Sequence, residues 1–125
     1  MVKTALSILI TFAFIFGLSY METTYVQNVF SQFHTRLTSL QQKAEEHSIT
    51  MEDGEGVRDY WNEKRRYLHS WLPHTSLQEI DYRIDEIVGF IYVQDYQNAI
   101  PGIEVLIGLT ENVPHSYSLR FENIF

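Results

Sequence analysis

The chain has 125 residues and a mass of 14.7 kDa, enough for one domain and too little for a multidomain enzyme. It has no cysteine, which excludes disulfides and a thiol nucleophile and leaves only His and carboxylate ligands for a zinc ion. A formal net charge of −7 argues against nucleic acid, because no basic surface displaces phosphate counterions, and it opposes adhesion to an anionic membrane surface.

The average conceals two materials. Between Lys3 and Glu22 no residue is charged, and all 16 acids lie from Glu22 onward. As a helix, residues 4–21 span about 27 Å, close to a hydrocarbon core of about 30 Å. Residues 1–21 therefore read as a signal anchor and residues 22–125 as a separate body. Positive charge before the span and Glu22 after it put the amino terminus inside and the body outside the cell membrane. Gly17-Leu18-Ser19 also fits a small-x-small cleavage pattern, so export after cleavage near Ser19 is the alternative. A third reading, a buried core helix, needs a larger body to cover residues apolar on every face.

After the span, Val26, Phe30, Phe33, Leu37, Leu40 and Ala44 recur at steps of 4, 3, 4, 3 and 4, which predicts one helix from the membrane to about Glu46. The seam suits a bundle helix, or a homodimer through residues 26–44. Residues 48–56, ending in Asp53-Gly54-Glu55-Gly56, read as a flexible acidic break. They fail as a calcium loop, since with Asp53 first the sixth position is Arg58 rather than glycine. A second helix carries Val57, Tyr60, Trp61, Lys64, Tyr67, Leu68, Trp71 and Leu72 on one stripe and stops at Pro73. Ser76-Leu77-Gln78-Glu79 fits a capping box for a third, striped by Leu77, Ile80, Ile84, Ile87, Val88 and Ile91. Asp95 caps a last helix with Tyr96, Ala99, Ile100, Ile103, Leu106, Ile107 and Leu109 inward. Pro101-Gly102 kinks that helix or delays its start, and Pro114 ends it. The apolar tail, residues 119–125, is expected to dock on the bundle. The fold class is all-α: a transmembrane helix continuing into an up-and-down bundle of about four helices.

Chemistry-bearing residues are few. His69, His74 and Glu79, with Asp81 and Asp85 nearby, are the best metal candidates, but they do not form a His-Glu-x-x-His or Glu-x-x-His motif. The plainer reading is that His74 satisfies backbone groups between two helices. Asp81 and Asp85 lie one turn apart. They suit the positive end of a helix dipole, and Arg83 or Lys64-Arg65-Arg66 can pair with them. That basic run is either a solvated face or a site for an anionic polymer or headgroup. Trp61 and Trp71 are core, or a binding surface. No nucleophile elbow or phosphate loop is present, so the expectation is no enzyme, no catalytic residue, no cofactor and no metal. The candidate interaction surface is Trp61, Lys64, Arg65, Arg66, Tyr67, Trp71 and His74. Two rivals to an interaction module are a ligand-binding bundle with a pocket of Trp61, Tyr67, Trp71 and Phe90, and a metal-dependent hydrolase.

Phe30 with Phe33, the Trp61-to-Trp71 helix bearing Lys64-Arg65-Arg66, His74 before Ile80-Asp81, the Asp95-to-Ala99 start and the closing Glu122-Asn123-Ile124-Phe125 cover nearly the whole chain. Together they resemble a family of small single-span, membrane-anchored proteins of Gram-positive spore-formers, catalogued only as a domain of unknown function. The resemblance implies an exported, tethered helical domain. It also implies a partner, since members are often encoded beside YetF-like multi-span membrane proteins. Pro101-Gly102 departs from the smoother last helix of that pattern.

Overall fold

A computed structural model describes the backbone of residues 1–124 and the side chains of residues 1–115. It contains four helices: α1 (Val2–Glu45), α2 (Met51–Leu68), α3 (His74–Tyr92) and α4 (Tyr96–Ile124), with no strand among the described residues. α1 and α3 each pack against both α2 and α4, so the helices form an antiparallel ring.

α1 has 44 residues, about 66 Å of helix. Its first half is long and apolar enough to cross a membrane, and none of that window is buried within the chain. The reading of residues 4–21 as a core helix is thereby overturned: the body fills its interior with its own stripes. From Val26 onward all six seam residues lie at 3 % exposure or less, facing α2 and α4.

The break between α1 and α2 is shorter than expected. Thr50 is the N-cap: its hydroxyl accepts from the Asp53 amide at 3.2 Å, and the Asp53 carboxylate accepts from the Thr50 amide at 3.0 Å. This capping box starts the helix at Met51, so Asp53-Gly54-Glu55-Gly56 lies within the first two turns of α2 rather than in a flexible loop. Gly54 is needed there for closeness, because a Cβ would sit 3.0 Å from Ile91 Cδ1 on α3.

α2 ends at Leu68 instead of running to Pro73. The amides of Trp71 and Leu72 both donate to the Leu68 carbonyl, at 3.0 and 2.9 Å, which curls residues 69–73 into a turn. α3 also starts earlier than the Ser76 capping box predicts. Pro73, at φ −58, is its N-cap without any side-chain bond, and its carbonyl accepts from the Leu77 amide at 3.3 Å. Ser76 is already helical and cannot cap. The α3 stripe is buried in full, Leu77, Ile80, Ile84, Ile87, Val88 and Ile91 all lying at 6 % exposure or less.

Asp95 caps α4 as expected, its carboxylate accepting from the Asn98 amide at 3.3 Å. Ala99, Ile103 and Leu106 are fully buried, and Tyr96, Ile100, Ile107 and Leu109 pack around them. Neither proline stops the helix. Pro101 is exposed and is the sixth residue of α4, so it removes one bond, to Gln97, on the solvent face. Pro114 likewise lies inside the helix, which continues to Ile124. The expected docking of residues 119–125 falls outside the described side chains.

Candidate functional site

α2 runs antiparallel to α1, so the α2–α3 turn returns to the end of the bundle from which the apolar stalk emerges. Three aromatic rings meet there. Tyr25, on the stalk's first bundle turn, stands edge-on to Trp71 with centroids 5.6 Å apart and edge-on to Tyr67 at 6.5 Å. Trp71 is 38 % exposed and Tyr67 57 %. Burial first, then the neighbouring Tyr67 hydroxyl and the Glu63 charge, push the Tyr25 hydroxyl above its ordinary pKa of 10.0. Arg66, His69 and His74 are exposed around this rim, and the His69 ring donates through Nδ1 to the Arg66 carbonyl at 2.7 Å.

The seven candidate surface residues therefore divide. Arg66, Tyr67, Trp71 and His74 lie exposed at the stalk end of the body, with no hydrogen-bonding partner for the His74 ring among the described residues, so His74 does not satisfy buried backbone. Trp61 does not belong to a surface. It is fully buried, stacked on Phe33 with centroids 5.2 Å apart, and its Nε1 donates to Asp81 Oδ1 at 2.7 Å. The reason is phase: Trp61 falls on the α2 stripe with Val57 and Leu68, whereas Trp71 lies beyond the helix end. Arg65 is held by Asp81, its Nε donating to the two carboxylate oxygens at 3.0 and 2.8 Å. Lys64 and Arg36 lie over the Tyr60 ring, at 5.8 and 4.4 Å from its centroid. That ring's hydroxyl donates to the Val29 carbonyl at 2.9 Å, and burial raises its pKa against the opposing pull of Arg36.

Tyr25 is the rim residue that the sequence reading missed. A tyrosine one helical turn beyond the last apolar residue of a span is an interfacial signature, and that signal was available.

The proposed ligand pocket is not assembled. Trp61 is in the core, Tyr67 and Trp71 are at the stalk end, and Phe90 is about 24 Å from the start of α3, near its far end. The interior between Leu37, Val57, Ile84 and Leu106 has no room for a water molecule. An open groove of about 370 Å³ lies between α1 and α4, beside the exposed His34–Glu111 pair at 3.2 Å. His69, His74 and Glu79 do not form a metal-binding group among the described residues. Asp81 serves Trp61 and Arg65, and Asp85 is exposed one turn on.

The family model for the Domain of unknown function (DUF4363) matches residues 20–124. The chain belongs to the DUF4363 family. Neither the curated proteins nor the solved structures contain a match to it. The DUF4363 match takes in all four helices of the ring and the three rim aromatics, and it leaves residues 1–19 of the stalk outside.

Proposed function

We propose that this DUF4363 protein is a membrane-tethered, non-enzymatic interaction module, an accessory partner of an integral membrane protein. In this reading residues 4–21 hold it in the cell membrane as a single span, with the amino terminus inside and the body outside. One observation carries the proposal: an apolar helix that none of the described residues covers runs without a break into a filled bundle. A helix of that kind requires an apolar environment from outside the chain, and its continuity transmits the position of the span to the body. Asp81, Asp53 and the Tyr60 hydroxyl all bond within the fold, which supports a structural use for these three groups. The filled core gives no support to the ligand-binding rival. A homodimer through residues 26–44 would have to displace α2 or α4 from the seam.

The test is photo-crosslinking in the native membrane from position 82, which is exposed on α3 outside the aromatic rim. The expected product is one adduct with a multi-span membrane protein, a YetF-like protein being the first to examine by antibody or mass spectrometry. Recovery of the chain alone, both from the crosslinked membrane and in several mild detergents, would refute the accessory role. The intact mass of the extracted chain separates a retained anchor from cleavage near Ser19.

A further inference from the structure

We infer that the rim of Tyr25, Tyr67 and Trp71 is seated in the phospholipid headgroup layer, at the height that the unbroken stalk helix gives it. The inference rests on the reading of residues 4–21 as a span, and it assigns a lipid surface, rather than a protein, as what the rim touches.

The argument is one of height. Tyr25 follows Met21 by four residues of unbroken helix, a rise of about 6 Å. The interfacial layer on each side of a bilayer is about 5 to 7.5 Å deep. With the apolar segment in the hydrocarbon, Tyr25 lies within that layer, and Trp71 and Tyr67 touch Tyr25 and share its level. The turn sits about 10 Å from the stalk axis, so a tilt of about 20° moves it by only about 3 to 4 Å. Tyr and Trp are the side chains that partition into this zone, with rings against lipid and polar tips in water. Tyr20, a turn earlier on the stalk, is 74 % exposed and adds a fourth ring near the same boundary.

Charge does not supply the attraction. The Glu63 charge acts on Tyr25, and Arg66, His69 and His74 are exposed close to Tyr67 and Trp71 in the chain, so both signs are represented on a body of net negative charge. Seating by rings rather than charge should operate on neutral lipid and resist salt.

The test uses the full chain in phosphatidylcholine vesicles and compares wild type with Trp71→Phe. Trp61 is fully buried and gives the same background in both. The difference signal is Trp71. It is read with nitroxide on the lipid headgroup, with nitroxide at mid-chain, and with iodide in the water. The expected result is about twofold or greater preference for the headgroup quencher over the mid-chain one, with weak iodide quenching and no change on adding salt. Tyr67→Ser should raise iodide access to Trp71 while leaving the circular dichroism melt in place. Strong iodide quenching in chains that float with the vesicles would overturn the seat and leave the span intact. Mid-chain quenching equal to or above headgroup quenching would overturn the assigned height. Chains that fail to float would overturn the span and the seat together.

Discussion

A fully buried indole leaves one polar problem, its N–H, and Asp81 solves it from the neighbouring helix at 2.7 Å. The carboxylate in turn needs a counter-charge, which Arg65 supplies through Nε. The two substitutions should therefore differ. Asp81→Ala leaves the Trp61 donor buried and unpaired, at a cost of about 1 to 3 kcal/mol. Arg65→Ala leaves a carboxylate that is still 27 % exposed to water, and should cost less than about 1 kcal/mol. Urea unfolding followed by circular dichroism gives both values; a larger loss for Arg65→Ala would contradict the assigned roles. Pairing of Asp81 with the basic run was readable from charge alone. Which of the three bases takes part, and that Trp61 shares the carboxylate, depends on the relative phase of α2 and α3. Spacing along either helix does not contain that phase.

The ends of the helices were less legible than their faces, and for a physical reason. Every stripe residue of α1 and α3 is buried, because period 3 to 4 is a direct imprint of one covered face. Ends depend on single backbone conformations. α1 closes with His47 at φ 57 and the Ser48 amide donating to the Lys43 carbonyl at 2.8 Å, and α3 closes the same way with Gln94 at φ 58 and the Asp95 amide on the Phe90 carbonyl at 2.8 Å. These are Schellman ends with a side chain where glycine is usual, so no glycine announced them. Gln94 is exposed, and Gln94→Gly should raise stability by about 0.5 to 1 kcal/mol by relieving the left-handed conformation. His47→Gly should gain less, since the His47 ring packs on Tyr96 with centroids 5.3 Å apart. Thermal melts of the two variants would show the order. The start of α2 carries a pH dependence. The Lys43 ammonium at 2.9 Å, then the Thr50 amide and hydroxyl, hold the Asp53 carboxyl below its ordinary 3.8. A depressed folded-state pKa contributes stability above the unfolded value of about 3.9 and loses it as pH falls through the folded one. Asp53→Asn should thus cost about 0.5 to 1 kcal/mol at neutral pH, and the gap to wild type should shrink with acidification below about pH 4. A gap constant with pH would remove the Lys43–Asp53 bond from the account.

For the whole molecule, the feature that matters is that stalk and body share one helix. The apolar half of α1 contributes no buried surface to the bundle, whereas the second half is a quarter of its ring. Stability and position are therefore separable, and insertions after Met21 should separate them. About six Gly and Ser residues placed there act as a flexible coil with a reach of about 13 Å. The melt of the body should be unchanged and the chain should still float with vesicles, but the headgroup quenching of Trp71 should fall by about half or more as the body samples heights beyond the interfacial layer. Seven helix-forming residues at the same place keep the facing of the helix to within about 20° and raise the body by about 10.5 Å, more than the depth of that layer. The rim would then stand in water, and iodide should quench Trp71 in a rigid, folded, membrane-bound chain. The pair of insertions distinguishes two sources of seating. Loss of the signal in both means that helix continuity sets the height. Retention with the flexible insert and loss with the helical one means that the three rings hold the interface by their own affinity, and that the stalk merely keeps them near it.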